Sequence, residues 1–183
     1  CKDYFLDNSN GQFRPHFDVY GPITLSKNRS YYGGNVKGED AAPREMVSEA
    51  CELADKEIDF SRYDNDGDGY VDNVFVFYAG QGEADYGPAD SVWPHSWNLN
   101  PSLTLDNVII SQYACSNEWQ EDTPGGIGTF VHEFSHVMGL PDLYSTTYAY
   151  PLVCTPGGYS VLDYGPYNND GRTPPSYSVF ERN

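Results

Sequence analysis

The sequence predicts an α+β domain with a mixed, twisted β-sheet and an irregular C-terminal part. An amphipathic helix near Pro43–Ile58 precedes two apolar strands, at about Val71–Tyr78 and Val108–Cys115. A histidine-bearing helix follows the strands, at about Gly126–Val137, and the residues after Gly139 are rich in proline and glycine. This order, with a helix and strands before a second helix, favours an α+β domain.

The first elements are an extended region, a loop and a helix. Residues Phe17–Leu25 are expected to be extended, and a polar, glycine-rich loop follows them. The helix begins near Pro43 and runs to about Ile58, because apolar residues recur there at helical spacing. Its predicted buried face consists of Met46, Val47, Ala50, Leu53, Ala54 and Ile58.

The second helix carries the most informative motif of the chain, in which Glu133 follows His132 directly and His136 comes one helical turn later. Because residues one turn apart share a helix face, the two histidines can bind one zinc ion while Glu133 stands beside it as a base. The apolar residues at the complementary positions form the predicted core face, which consists of Ile127, Phe130, Val131, Phe134 and Met138.

The third zinc ligand is predicted to be Asp142. Gly139 and Pro141 end the helix and turn the chain sharply, which brings Asp142 back towards the histidines. A catalytic zinc ion usually has three protein ligands and one open position for water. The remaining histidines, His16 and His95, both lie upstream of the motif.

Two alternatives to this ligand set remain open. A glutamate from a later helix is the third ligand in some zinc enzymes, and Glu181 is the only glutamate after the motif. Asp142 could also cap the turn without binding a metal. The position and the charge of Asp142 favour a site with two histidines and one aspartate.

A second metal site, for calcium, is predicted between Asp64 and Asp72, where oxygen ligands alternate along the chain. Phe75 occupies the position at which an EF-hand carries its bidentate glutamate, so the loop is not an EF-hand. A solvated acidic turn is the alternative. The predicted ligands are Asp64, Asp66, Asp68, the Tyr70 carbonyl and Asp72, with Asp59 as a further candidate. The role of this calcium ion would be structural.

Composition limits the remaining classes of protein. The chain has 183 residues, enough for one domain, and no apolar run long enough to span a membrane. Its net charge of -17 argues against nucleic acid and anionic membranes as partners. The four cysteines lack C-x-x-C spacing, and they would form disulfides if the protein is secreted. Three pairings are possible, and a buried free thiol at Cys51 is the alternative.

Taken together, these motifs resemble those of metzincin-type metalloproteases, and most closely the immune inhibitor A family of secreted bacterial proteases. Snapalysin-type enzymes share the aspartate as third ligand. Ser160–Tyr164 is similar to the metzincin turn beneath the metal, with Leu162 in place of the expected methionine. The other similar segments are Tyr4–Phe13, Asp64–Asp72, Tyr78–Gly80 and Trp93–Trp97.

The resemblance implies a monomeric, secreted zinc endopeptidase that acts on proteins or peptides. Glu133 would activate the zinc-bound water. Tyr164 would stabilise the oxyanion, and the alternative for Tyr164 is a packed aromatic residue with its hydroxyl in water. Residues 1–183 would form one catalytic domain, with an upper part at about 1–138 and a lower part at about 139–183, cut from a longer precursor. His95 is expected to have a structural role, and Tyr144 and Tyr148 are candidates for the wall of a specificity pocket.

Two other functions remain open. The chain could be a catalytically inactive binding module of protease ancestry that retains zinc and calcium, a hypothesis motivated by Leu162. The intact Glu133 argues against this alternative. The same histidine motif also serves enzymes that hydrolyse amide bonds of small molecules.

Overall fold

The computed structural model describes residues 1–120, 122–146 and 154–182. The chain divides into two units. Val19–Pro124 forms one of them, here called the sheet unit. Cys1–Asp18 and Gly125–Asn183 together form the other, here called the terminal unit. Among the described residues, no helix is both long enough and apolar enough to cross a membrane.

The sheet unit contains two helices and six strands within its described residues. The helices are α2 (Arg29–Gly33) and α3 (Pro43–Ala54). The strands are β1 (Asn35–Val36), β2 (Glu39–Asp40), β3 (Val74–Gln81), β4 (His95–Leu105), β5 (Val108–Gln120) and β6 (Thr123–Pro124). Short 3₁₀ helices lie at Phe60–Tyr63 and Glu83–Asp85. Residues 17–25 form no strand.

The main sheet has the order β3-β5-β4, with β6 paired to the end of β5. Strands β3 and β5 are parallel, whereas β4 runs antiparallel to β5, so the predicted mixed sheet is confirmed. Strand β4 was not predicted, because Pro101 lacks an N–H group and interrupts the strand pattern. The structure accommodates Pro101 where the pairing register shifts between Asn98 and Leu103, a usual place for proline in a strand.

The core of the sheet unit lies between α3 and the sheet, where Met46, Val47, Ile110 and Tyr113 are buried. Leu53 is 38% exposed, so its predicted burial is wrong, and Cys51 is buried instead. Each residue turns the helix by about 100°, so Leu53 points about 200° away from Cys51. Helix α3 also ends at Ala54, earlier than the predicted Ile58.

The terminal unit contains α1 (Lys2–Asn8), α4 (Gly128–Val137) and short 3₁₀ helices at Gly157–Tyr159 and Gly165–Tyr167. Phe5 packs against Phe134 with 5.2 Å between ring centroids, and Phe17 packs against Phe130 at 5.3 Å. These rings hold α1 against α4. Met138 is 39% exposed, so its predicted burial is wrong, because α4 has already ended at Val137.

None of the four cysteines forms a disulfide in the structure, so the expected disulfides are not formed. Cys51 and Cys115 are buried, whereas Cys1 and Cys154 are exposed. Burial raises the pKa of the Cys51 thiol to about 12, which keeps it protonated and unreactive at neutral pH. The alternative of a buried free thiol at Cys51 is therefore the one observed.

Candidate metal centre

Helix α4 carries both predicted histidine ligands, and close packing fixes its first turn. A β-carbon added to Gly128 would lie 2.0 Å from the Pro166 carbonyl oxygen, so only glycine allows this approach. At the other end of the helix, Gly139 adopts a left-handed conformation with φ of 88°, and its N–H donates to the His136 carbonyl. The predicted sharp turn after the second histidine is confirmed.

The turn brings three candidate ligand atoms together. The Nε2 atoms of His132 and His136 lie 3.2 Å apart. The Oδ1 atom of Asp142 lies 3.4 Å from the first of these nitrogens and 3.2 Å from the second. Ligands bound 2.0–2.1 Å from a tetrahedral zinc ion lie about 3.3 Å from one another, so this triangle has the size that zinc requires.

Backbone carbonyls orient both imidazole rings. The Nδ1 atom of His132 lies 2.8 Å from the Val161 carbonyl oxygen, and that of His136 lies 2.7 Å from the Leu140 carbonyl oxygen. When each Nδ1–H donates to its carbonyl, the Nε2 lone pairs face the centre of the triangle. This is the usual arrangement of histidine ligands and the groups behind them.

The charges of the three candidate ligands are coupled. Burial lowers the pKa of His132. Partial burial also opposes protonation of His136, but hydrogen bonds to Asp142 and Leu140 outweigh it and raise the His136 pKa to about 8. Burial likewise disfavours the charged form of Asp142, yet its hydrogen bond to His136 and the nearby histidine charges lower its pKa. A cation in the triangle would compete with the proton on His136.

Glu133 is buried beside the triangle. One carboxylate oxygen of Glu133 lies within 4.8 Å of a ligand nitrogen of each histidine. Glu133 is only 5% exposed. Burial raises its pKa to about 8, and the Asp142 charge acts in the same direction. A carboxylate with a pKa near neutrality is suited to accept a proton and then to donate it.

The turn at Ser160–Tyr164 is tied to this centre. Leu162 is fully buried, and its carbonyl accepts a hydrogen bond from the Leu143 N–H at 2.8 Å, next to Asp142. Tyr164 is 66% exposed, and among the described residues its hydroxyl makes no hydrogen bond to the histidines, Glu133 or Asp142. A role for Tyr164 in catalysis stays a prediction.

Sequence reasoning missed the residues that support this turn. The Ser160 hydroxyl donates to the Glu181 carboxylate at 2.5 Å and accepts from the Leu162 N–H at 3.0 Å. Glu181, considered above as a third ligand, is 5% exposed and faces Ser160. No local spacing in the sequence could pair two residues so far apart in the chain.

The predicted calcium loop brings three carboxylates together in the sheet unit. Ligand oxygens of Asp64, Asp66 and Asp68 lie within 4.8 Å of one another. Gly67 and Gly69 have positive φ angles of 75° and 87°, which allow the tight turn. The remaining predicted ligands, Tyr70 and Asp72, line with two of these aspartates a cavity of about 410 Å³; its other lining residues are Val71, Asn98, Ser111 and Gln112.

Hydrogen bonds within the chain already engage part of this loop. Asp64 accepts from the N–H groups of Gly67, Asp68 and Gly69, and Asp72 accepts from the Asn65 side chain. The Asp59 carboxylate accepts from Ser61 at the start of a 3₁₀ helix. The calcium ligand set stays a prediction.

The further candidates that the structure describes are His95 and Tyr144, of which Tyr144 makes a side-chain hydrogen bond to Asp142. His95 belongs to the sheet unit, where its Nε2 atom lies 2.8 Å from the Tyr113 hydroxyl and its Nδ1 atom 2.6 Å from the Trp93 carbonyl oxygen. Burial lowers its pKa. These contacts agree with a structural role. Tyr144 is 39% exposed, and Tyr148 lies outside the described residues.

Comparison with known proteins shows which proteins this chain is similar to in sequence. Pre-pro-metalloprotease PrtV of Vibrio cholerae is 31% identical over 175 residues, which cover 80% of this chain and 19% of that protein. Immune inhibitor A of Bacillus thuringiensis is 26% identical over 176 residues, which cover 80% of this chain and 26% of that protein. A candidate secreted metallopeptidase of Arthroderma benhamiae is 24% identical over 203 residues, which cover 92% of this chain and 29% of that protein.

The chain thus spans less than a third of the length of each of these relatives. The profile of the immune inhibitor A peptidase M6 catalytic domain matches residues 1–176, which is nearly the whole chain. The chain belongs to the immune inhibitor A (M6) family of metallopeptidases, and the match lies in the catalytic domain of that family.

Proposed function

We propose that this chain is the catalytic domain of a zinc-dependent endopeptidase that hydrolyses protein or peptide substrates. The observation that carries the proposal is the triangle of His132, His136 and Asp142, whose ligand atoms lie 3.2–3.4 Å apart beside the buried Glu133. The family and the names of the relatives support a metalloprotease. The choice of zinc rests on the two imidazoles, the carboxylate and their spacing.

The protein residues would divide the work in hydrolysis. Zinc, when bound, acts as a Lewis acid and lowers the pKa of a coordinated water to near neutrality. Glu133 would serve as the base that takes up a proton from the attacking water, and as the acid that passes it to the departing amine. The Tyr164 phenol donates a hydrogen bond to the oxyanion of the tetrahedral intermediate. The backbone carbonyls of Val161 and Leu140 keep the imidazoles in the required tautomer.

We propose in addition that Asp64, Asp66, Asp68, the Tyr70 carbonyl and Asp72 hold a structural calcium ion. Three carboxylates within 4.8 Å of one another repel each other unless a cation lies between them. Calcium prefers such oxygen ligands in a flexible loop. Binding would stabilise the native sheet unit by mass action.

The proposed setting is extracellular, with the chain acting as one monomeric catalytic domain within a longer protein. A name among the relatives describes a secreted metallopeptidase, and the net charge of -17 disfavours nucleic acid and anionic membranes as partners.

The test compares cleavage of an unfolded protein substrate by the parent chain and by Glu133→Ala, each loaded with one equivalent of zinc. We expect only the parent to cleave, because the variant retains the three ligands and lacks the base. Cleavage by neither protein would favour the inactive binding module. Equal cleavage by both would overturn the role of Glu133.

A further inference from the structure

A second buried carboxylate in the terminal unit, Glu181, has no part in the proposed chemistry. It is 5% exposed, and it accepts hydrogen bonds from the Ser160 hydroxyl and from the Ser178 N–H, each at 2.5 Å. Burial of a carboxylate is costly unless such donors compensate for the lost water. The burial of the Glu181 carboxylate therefore requires a structural or functional explanation.

Ser160, its partner, organises the turn beneath the metal centre. Ser160 is 1% exposed, and its carbonyl accepts from the N–H groups of Asp163 and Gly165. Its hydroxyl accepts from the Leu162 N–H at 3.0 Å. Because the hydroxyl has a single proton and gives it to Glu181, a lone pair is left to face the Leu162 N–H. The carboxylate thus sets the direction of the bond that closes the turn.

The turn contacts one of the three candidate ligands directly and the residue next to another. The Val161 carbonyl, between Ser160 and Leu162, lies 2.8 Å from the Nδ1 atom of His132. The Leu162 carbonyl accepts from the N–H of Leu143, the residue after Asp142, at 2.8 Å. A rotation of this turn would change the direction of the His132 ring and the position of the Asp142 backbone together.

We propose that Glu181 is a positioning residue for the zinc site, acting through Ser160 and the turn on His132 and Asp142. The inference rests on the proposed zinc site, but it does not require that the chain cleave peptides. Glu181 makes no direct contact with the ligand atoms, so its effect appears as a change in metal affinity. Outer-shell partners of metal ligands typically change affinity by about 10- to 100-fold when they are removed.

The alternative is that Glu181 only anchors the C-terminal segment. Its neighbour Arg182 provides the matched control, because Arg182 anchors the same segment without touching the turn. The Arg182 guanidinium donates to the Tyr177 carbonyl at 2.9 Å and to the Asn8 side chain at 3.4 Å. Removal of Arg182 therefore loosens the segment and leaves the bonds between Glu181 and Ser160 in place.

The experiment measures the dissociation constant for Zn²⁺, by competition with a chromophoric chelator, in the parent chain, Glu181→Ala, Ser160→Ala and Arg182→Ala. Circular dichroism and thermal unfolding monitor the fold of each. We expect Glu181→Ala and Ser160→Ala to weaken Zn²⁺ binding about tenfold. Arg182→Ala should unfold at a lower temperature and bind Zn²⁺ within about twofold of the parent. The variant that carries both Glu181→Ala and Ser160→Ala should bind Zn²⁺ no more weakly than the single variant with the lower affinity. The two losses do not add, because Glu181 acts on the turn through Ser160.

The outcomes separate this inference from the proposed function. Parental Zn²⁺ affinity in a folded Glu181→Ala overturns the positioning role, as does an equal loss of affinity in Arg182→Ala. If the parent binds Zn²⁺ and cleaves nothing, the proposed function fails and the positioning role is still decided by the affinities. If the parent binds no Zn²⁺, both are wrong. Should Glu181→Ala not fold, Glu181→Gln keeps the size and one acceptor oxygen, and we expect a smaller loss of affinity than in Ser160→Ala.

Discussion

The Nε2 atom of His136 lies 3.2 Å from the Oδ1 atom of Asp142, close enough to form an ion pair when His136 is protonated. This contact raises the pKa of His136 to about 8 and helps to lower the pKa of Asp142. A zinc ion bound by these two side chains would compete with the proton on His136. Metal binding and proton release are therefore linked at this pair.

The affinity for Zn²⁺ should fall as the pH falls below about 8, because His136 must lose its proton before it can bind the metal. Below this pH we expect the loss to approach about tenfold per pH unit for one displaced proton. Chelator competition at pH 6.5, 7.5 and 8.5 measures the effect. An affinity that is constant over this range would contradict the coupling of His136 and Asp142.

The metal-free chain should lose stability as the pH rises through about 8. The folded state raises the pKa of both Glu133 and His136 to about 8, so below this pH it binds more protons than the unfolded chain. Their contribution to the free energy of unfolding is fully present below the pKa that each group has in the unfolded chain. It is lost as the pH rises past about 8. Thermal midpoints at pH 6.5, 7.5 and 8.5 measure this slope. Glu133→Gln should reduce the dependence of the thermal midpoint on pH. An unchanged dependence would show that Glu133 does not contribute to it.

Removal of the third candidate ligand should abolish tight zinc binding. We expect Asp142→Ala to weaken Zn²⁺ binding by more than about a hundredfold, a larger loss than that of an outer-shell partner. Asp170→Ala is the matched control, because Asp170 belongs to the same unit and its side chain is 73% exposed beside Arg172. Zinc content after dialysis gives the readout. Full retention of zinc by Asp142→Ala would point to another third ligand.

Leu162 should be replaceable by methionine at little cost. The two side chains have similar volumes, so Leu162→Met should change the free energy of unfolding by less than about 1.5 kcal/mol and leave zinc affinity unchanged. Leu162→Ala, at this fully buried position, should destabilise the fold by about 2–5 kcal/mol. Urea unfolding of the parent chain, Leu162→Met and Leu162→Ala measures both changes in the free energy of unfolding. A large loss for Leu162→Met would mean that the turn has adapted to the leucine shape.

Calcium should raise the thermal midpoint of the zinc-loaded chain. At a concentration one hundred times the dissociation constant, a bound ion stabilises the folded state by about 2.7 kcal/mol. Asp68→Asn should reduce this gain, whereas Asp170→Asn should leave it unchanged. Differential scanning calorimetry with and without added Ca²⁺ tests the proposal. A midpoint that does not respond to Ca²⁺ in the parent chain would favour the solvated acidic turn.

Local patterns explain what the sequence predicted well. The shared face of His132 and His136 depends on helix geometry, and the turn that delivers Asp142 depends on Gly139 and Pro141 nearby. The mixed sheet was predicted from the order of the helices and strands along the chain. The errors at Leu53 and Met138 arose because periodicity does not mark where a helix face turns away from the core or where the helix ends.

Long-range polar pairs could not be predicted. Ser160 and Glu181, like Ser135 and Tyr177, meet only after the chain has folded, and no fixed spacing signals their contact. Strand β4 was hidden for another reason, since Pro101 breaks its pattern and only pairing with β5 accommodates it. The support behind the metal ligands is thus the part of the site that required a structure.

The terminal unit joins segments from opposite ends of the chain, as in the hydrogen bond from the Tyr4 hydroxyl to the Pro175 carbonyl across 171 positions. Contacts between such distant residues form slowly, because a long loop must close first. Synthesis proceeds from the N-terminus, so the contact of Tyr4 must wait until Pro175 has been made. The residues that support the candidate ligands should therefore come together only after Glu181 has been made, so a nascent chain that ends earlier would lack the bond between Ser160 and Glu181.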